Sequence, residues 1–452
     1  MKLMVLVLAA GKGTRMKSDL PKVLFPAAGK PMIDYVIDSA REIGAEKINV
    51  VIGNAAELVE EHLGNGVEFS LQKQQRGTAD AVLAAKESIE NFEGNVLILC
   101  GDMPLVKSAT LKEFINKAEG NPVSFMSVKV ANPFGYGRVI RDINGEVSGI
   151  VEEKDACEEE KRVDEINTGI YLCDSKEMLK RLEGIDCNNA QGEFYLTDIV
   201  KDGAFAYVAD DEKEFLGVNN RAHLSEASKH IWRERAEKHM MNGVSILDPD
   251  SFYCDEDVRI ENDVEIYPNV TLQGKVTIKS GTIVYPGSRI VDSEIGCGCE
   301  IKDNCLISES FVGDDCKIGP MAQLRPGSVL KGQNKLGNFV ETKKAVFDIK
   351  AQASHLTYVG DAEIGKNVNL GCGTITCNYD GYSKFKTVIG DDVFVGSDVQ
   401  LVAPVTIGKG ALIAAGSTIT KDVPEDALGI TRSKQKNMDG WVSDWKKKKG
   451  VK

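Results

Sequence analysis

The sequence predicts two fold classes in one chain: an α/β domain built on a parallel sheet, and an all-β domain wound as a parallel β-helix. Three observations carry this. Over residues 1–220, short apolar runs alternate with amphipathic stretches, the pattern of parallel strands with covering helices. Residues 221–242 lack Gly and Pro and are rich in Ala, Glu, Lys and Arg, which predicts one connecting helix stopped by Asn242 and Gly243. Over residues 243–452, aliphatic side chains return at every sixth position, a period that neither a 3.6-residue helix nor an alternating strand keeps. A length of 452 residues also exceeds what one core usually serves.

Composition excludes several classes. Hydrophobic residues make up 42% and charged residues 27%, an ordinary globular balance. The net charge of -13 argues against a nucleic-acid partner, which needs a basic face. No apolar run is long enough to span a bilayer, so stable membrane insertion is not expected. The run Leu3 to Ala10 is short for a signal peptide and enters Gly11, Lys12 and Gly13 where cleavage would fall, so a buried first strand fits better and a cytoplasmic chain is expected. The 11 cysteines are scattered without a disulfide framework. The close groupings, Cys297 with Cys299 and Cys372 with Cys377, lack zinc spacing and are expected to be packed free thiols.

In the first domain the strand candidates are Met4–Leu8, Ile48–Ile52, Val96–Leu99 and Val123–Val128. Met32–Ile43 and Ala79–Ile89 are the clearest amphipathic helices between them. Ligands of open α/β sheets gather beyond the carboxyl ends of strands, where Gly11 and Asp102 fall. In the last domain the beat runs through Ile260, Ile266, Leu272, Ile278, Val284 and Ile290, slips by one, and resumes at Ile295, Ile301 and Ile307. Further runs are Ile318, Leu324, Leu330, and Ile389, Val395, Leu401, Ile407, Ile413, Ile419. Breaks near 309–315 and 376–386 are expected to be loops leaving the coil. This spacing resembles the left-handed β-helix of hexapeptide repeats.

The segment Leu8, Ala9, Ala10, Gly11, Lys12, Gly13, Thr14, Arg15 ends the first strand on small residues that admit a nucleotide, with positive charge for its phosphates. It is neither a dinucleotide fingerprint, since Met16 stands where a third glycine belongs, nor a Walker loop. It is followed by Pro21 with Lys22, then Gln72, Gly77 with Thr78, and Gly101 with Asp102 after a strand. Gly137, Glu152, Asn167 and the Gly217, Val218, Asn219, Asn220 segment come next, in that order. The set resembles the sugar-1-phosphate nucleotidyltransferases, in particular the N-acetylglucosamine-1-phosphate uridyltransferases, and implies a Rossmann-like nucleotidyltransferase domain. The resemblance implies Mg²⁺ on Asp102 and Asn219, and phosphate charge met by the catalytic Arg15 and Lys22. It implies UTP against Leu8, Ala9, Ala10, Gly11, Lys22, Gln72, Gly77 and Thr78, with N-acetylglucosamine 1-phosphate on Gly137, Glu152, Asn167 and Asn219. Cys100 departs from the family pattern, where a larger residue, often Tyr, is usual.

In the β-helix, five segments do not belong to the repeat: those around Arg325, Lys343, His355 with Tyr358, Asn378 with Tyr379, and Arg432. Together they are similar to the glucosamine-1-phosphate acetyltransferase half of bifunctional enzymes. Acetyl transfer to an amine needs a base that titrates near neutral pH, and His355 is the one histidine of the repeat region. The resemblance implies glucosamine 1-phosphate on Arg325, Lys343, Tyr358 and Asn369. It implies acetyl-CoA on Cys372, Asn378, Tyr379, Ser397, Ala415 and Arg432, and a homotrimer. Cys372 stands where a smaller Ala is usual. The competing reading is a nucleotidyltransferase of one activity that keeps the β-helix as a structural stem. The tail Lys446 to Lys449 is expected to be solvated.

Overall fold

The computed structural model describes residues 2–451. Contacts divide it into two units, residues 1–232 and 233–452, taken separately below.

In the first unit, the strands lie in the order Phe205–Ala209, Val123–Lys129, Glu165–Asp174, Asn95–Cys100, Leu3–Leu8, Lys47–Ile52, Glu68–Leu71. Leu3–Leu8 pairs in parallel with both Lys47–Ile52 and Asn95–Cys100. Its side chains alternate between two cores, Val5 and Val7 on one face and Met4 and Leu6 on the other, all fully buried. Burial on both faces explains why this strand reads as one unbroken apolar run. Two features lay outside the sequence pattern. Glu165–Asp174 runs antiparallel to both neighbours, and the hairpin Arg138–Arg141 with Val147–Val151 attaches to it at Ile166. The amphipathic stretch at 79–89 is two helices, Thr78–Ala84 and Lys86–Glu90, because Ala85 leaves helical geometry.

The helix Arg221–Met241 runs through the division between the units. Ala227 and Ile231 pack with Met16, Phe25 and Met32 of the first unit, whereas Ala236 belongs to the core of the second. Gly243 follows at φ +90°, a left-handed turn that halts the helix.

The second unit is a parallel β-helix from Ser245–Ile246 to Leu428–Gly429, in which each short strand pairs with the strand one coil on. Three columns of side chains fill its interior. One runs Ile266, Val284, Ile301, Ile318, Leu336, Ala353, Leu370, Val395, Ile413. Nearly every aliphatic of the six-residue beat is fully buried in such a column, and Ile260, at the first coil, packs on the core partly exposed. Each contributes about 1.5–3 kcal/mol relative to exposure, which mostly offsets chain entropy.

Two expectations from the sequence fail in this unit. Residues 309–315 do not leave the coil: Phe311–Val312 pairs with Glu294–Ile295 and Val329–Leu330, and Val312 is buried. The step from Ile307 to Val312 is five residues long, and Glu309 turns the corner within it at φ +43°. Asp292, at φ +44°, does the same between Ile290 and Ile295. The second break is a loop, running from Cys377 to Thr387 with Tyr382 94% exposed at its tip. The cysteines are free, yet Cys297 and Cys372 are exposed rather than packed, since each sits at a coil corner whose side chain points outward. The lysines of the tail lie exposed at the end of the helix Trp441–Lys449.

Candidate active sites

Beyond the carboxyl ends of Leu3–Leu8 and Asn95–Cys100, distant segments of the first unit converge. Gly13 lies at φ +58°, and a Cβ there would fall 2.8 Å from Lys22 Cβ, so only glycine lets the loop lie against Lys22. Lys22 Nζ forms an ion pair with Asp102 and lies 3.5 Å from Asn219 Oδ1. Arg15 Nη2 donates to the same Oδ1 at 2.8 Å. The backbone supports this: Val218 N donates to Asp102 O at 3.0 Å, and Gly101 N to Leu8 O at 3.0 Å. Asp102 and Asn219 therefore share one locus.

Whether that locus suits a metal can be tested on its donors. Among the described residues, no three His, Cys, Asp or Glu side chains cluster to hold an ion. A carboxylate and an amide oxygen do converge around an ammonium, so the place is built for positive charge. Two oxygens fit Mg²⁺, which keeps water and takes substrate phosphates for the rest of its shell. A cavity of about 660 Å³ opens beside Arg15 and Asn219, walled by residues 130–132 and 134–136 and by His223, Glu226 and His230.

Gln72 is buried, and its Nε2 donates to Asp80 Oδ2 at 2.9 Å and Gly77 O at 3.3 Å. Gly77, at φ +126°, leaves space that a Cβ would deny to the Phe194 backbone N, 2.7 Å away. Thr78 Oγ1 accepts from Leu196 N at 3.0 Å. Of the small-residue strand end, Ala9 N is tied to Val51 O at 2.9 Å, Ala10 packs against Gly53, and Gly11 is open to an incoming group. Gly137, Glu152 and Asn167 also meet: Asn167 N donates to Gly137 O at 2.9 Å, and a Cβ on Gly137 would lie 3.3 Å from Glu152 Oε1. Burial holds the Glu152 carboxyl above the usual carboxylate range. Cys100 faces Gly169, and burial pushes its thiol up to about 12, so it is a neutral wall.

In the β-helix, Arg325 Nη1 pairs with Glu341 Oε1 at 2.7 Å. Lys343 lies below the usual lysine range, chiefly because of Lys384 and then of Arg325. Three cations thus crowd one spot, as a phosphate would require. Lys384 escaped the sequence reading: the break in the beat located its loop but gave no motif to single it out.

His355 stands exposed, with its Nδ1 3.2 Å from Asn338 Oδ1 one coil before. Gly360 is what lets Tyr358 and Asn378 close over the coil, since a Cβ there would lie 2.5 Å from the Tyr358 hydroxyl and 2.9 Å from Asn378 Nδ2. Asn378 itself donates to Asp361. Cys372, Ser397 and Ala415 occupy one corner of successive coils, and the Arg432 side chain reaches the last of them. Asp398 N donates to Cys372 O at 2.7 Å, Gly416 N to Ser397 O at 2.9 Å, and Arg432 Nη1 to Ala415 O at 3.0 Å. The corner above them is that of His355, since Gly373 N donates to Leu356 O at 2.7 Å. Two further predicted residues lie on the loop and on a strand of these coils. Tyr379 commits its hydroxyl to Gly381 O at 2.6 Å, and Asn369 pairs in register with Gln352 and Phe394.

The architecture and the two charged constellations define a class: a nucleotidyltransferase unit followed by a hexapeptide-repeat transferase unit. Residues 4–222 match the Nucleotidyl transferase family, and residues 386–421 match the Bacterial transferase hexapeptide (six repeats) family. A protein of Caldanaerobacter subterraneus subsp. tengcongensis named "Bifunctional protein GlmU" is 52% identical over 99% of both chains. Proteins of the same name from Trichlorobacter lovleyi and Listeria monocytogenes serovar 1/2a are 49% and 47% identical over 96% of this chain and 97% of theirs. The chain belongs to the GlmU family of bifunctional proteins.

Proposed function

We propose that the chain makes UDP-N-acetylglucosamine in two steps at two separate sites. The β-helix acetylates glucosamine 1-phosphate with acetyl-CoA, and the α/β unit joins the product to UTP and releases pyrophosphate. One observation carries the two-site reading: exposed His355 belongs to the β-helix unit, whereas Asp102, Lys22 and Asn219 meet in the other.

In the first step the sugar amine attacks the acetyl carbonyl, an N–C bond forms, and the C–S bond breaks to release the CoA thiol. Asn338 Oδ1 accepts from Nδ1–H of His355, which leaves Nε2 to take the amine proton. Arg325, Lys343 and Lys384 hold the sugar phosphate, with Tyr358 and Asn369 beside the ring. The corner ladder Cys372, Ser397, Ala415 guides the acetyl-CoA arm toward His355, with Asn378 and Tyr379 at its side. Arg432 meets the phosphates of CoA.

In the second step a phosphate oxygen of N-acetylglucosamine 1-phosphate attacks the α-phosphorus of UTP and the bond to pyrophosphate breaks. Little proton chemistry is needed, so the residues act by orientation and charge. Mg²⁺, when bound to Asp102 and Asn219, supplies positive charge where the two phosphates meet. Lys22 leaves Asp102 for phosphate, and Arg15 neutralises the departing charge. Gln72, with its amide nitrogen held by Asp80 and Gly77, turns its oxygen to the uracil edge, and Gly77 and Thr78 contribute backbone. Leu8, Ala9, Ala10 and Gly11 let the nucleotide approach the strand end. Gly137, Glu152 and Asn167 hold the acetamido sugar.

Free thiols agree with a reducing, cytoplasmic setting, and no helix among the described residues is long and apolar enough to cross a membrane. A homotrimer is the assembly this reading expects. Met321, Phe339 and Leu356, each at least half exposed at one corner of successive coils beside His355, support an interface there. The test is His355→Ala: acetyl transfer should fall by about 10²–10⁴-fold with uridyl transfer spared. Loss of both in a folded variant would refute separate sites.

A further inference from the structure

We infer that His223 is a positioning residue for uridyl transfer, holding the loop that presents Asn219. The inference rests on the reading of Asp102 and Asn219 as the Mg²⁺ ligands. It starts from one carbonyl with two donors. Gly217 O accepts from the Asn219 amide, Nδ2, at 3.4 Å and lies 3.1 Å from His223 Nδ1. A carbonyl only accepts, so Nδ1 carries the proton, in a ring that also lines the cavity beside Asn219.

The consequence is an orientation. Asn219 turns its oxygen toward Lys22 and Arg15 because its nitrogen points at Gly217 O. At 3.4 Å that amide bond is long, and alone it would fix neither the carbonyl nor the loop. The ring of His223 anchors the carbonyl from the first turn of the helix Arg221–Met241. His223 is itself fixed there, since its backbone N donates to Asn220 Oδ1 at 2.9 Å. The chain thus runs from a helix cap, through an imidazole and one peptide oxygen, to the amide that would meet the metal. Nothing in this needs the ring to titrate. Any side chain with an N–H where Nδ1 stands would serve, and asparagine has one, Nδ2.

That equivalence makes the test. Mn²⁺ binding to the full-length chain, saturated with UDP-N-acetylglucosamine, is followed by electron paramagnetic resonance, which needs no turnover. His223→Leu should weaken Mn²⁺ binding by about fivefold, the worth of one neutral hydrogen bond. His223→Asn should stay within twofold of the parent. Uridyl kcat should follow the same order, while acetyl transfer by the same preparations stays level and certifies the fold. Parent-like Mn²⁺ affinity in His223→Leu, or equal loss in His223→Asn, overturns the inference. Asp102→Asn separates the underlying reading: if it binds Mn²⁺ like the parent, the ligand assignment itself falls.

Discussion

Gly360 offers a perturbation that strikes one site through two side chains. Its backbone is not in the left-handed region, so Gly360→Ala is tolerated by the chain itself, and the effect lies in what the new methyl meets. The added Cβ would stand 2.5 Å from the Tyr358 hydroxyl, 2.8 Å from its ring Cζ and 2.9 Å from Asn378 Nδ2, where ordinary contact begins at 3.4 Å. The hydroxyl must therefore retreat by about 0.9 Å and the amide by about 0.5 Å. The nearest atoms are side chain rather than backbone, so the coil should persist with a loss of about 1–3 kcal/mol. A displacement near 1 Å of groups that position substrate costs about 10²-fold in rate. Acetyl transfer, followed as thiol release from acetyl-CoA, should fall by about that factor, whereas pyrophosphate release from UTP should not change. An acetyl-transfer rate within twofold of the parent, with the methyl present and the fold intact, would refute the assignment of Tyr358 and Asn378 to that site.

Lys384→Ala should raise the KM for glucosamine 1-phosphate by about tenfold with kcat little changed, as loss of one charge-assisted contact to phosphate predicts. It should also move Lys343 back toward its ordinary range, which a titration of isotopically labelled lysine would detect, because Lys384 is the largest cause of its lowering. The Glu152 carboxyl, raised by burial, takes up its proton at a higher pH than an ordinary carboxylate. As pH falls, the KM for N-acetylglucosamine 1-phosphate should therefore rise before general acid unfolding begins, and Glu152→Gln should flatten that rise in initial-rate measurements. Gly13→Ala places a side chain at φ +58° and a methyl 2.8 Å from Lys22 Cβ, so uridyl transfer should fall at least tenfold while acetyl transfer holds.

The β-helix was legible because each coil repeats one demand, an apolar side chain inside at every strand. Ile389, Val395, Leu401, Ile407 and Ile413 meet it in turn, and all are buried. Handling of the corners was less legible. A five-residue step looks like a lost beat in sequence, and only the parallel pairing of Phe311–Val312 with its neighbours reveals that the coil continues. The antiparallel strand Glu165–Asp174 was hidden for another reason. A strand buried between two others carries the same apolar run in either direction, so composition does not encode its sense. Of the first site, Lys22, Asp102 and Asn219 were readable as motif residues, but His223 and the Gly217 carbonyl were not, since a hydrogen bond to a backbone oxygen leaves no pattern.

The interruptions of the beat carry an argument of their own. Between Leu330 and Ile389 the inward positions are Leu336, Thr342, Phe347, Ala353, Val359, Ile364, Leu370 and Thr376, where two threonines, a phenylalanine and a small alanine replace the usual Val, Ile or Leu. A buried hydroxyl is tolerated only if bonded. Thr342 Oγ1 lies 2.8 Å from Ser328 Oγ, and Thr376 Oγ1 accepts from Gly360 N at 2.8 Å while donating to Gly360 O at 3.1 Å. These are the coils whose outer faces carry Lys343, His355 and Tyr358. Thr376 clamps Gly360, the residue that makes room for Tyr358 and Asn378, so a polar group inside the coil fixes the geometry outside it. Thr376→Val would keep the volume and leave both Gly360 backbone groups without that partner. If the clamp matters, acetyl transfer drops and melting falls by several degrees together. If melting falls alone, the inward threonine serves the coil and not the site.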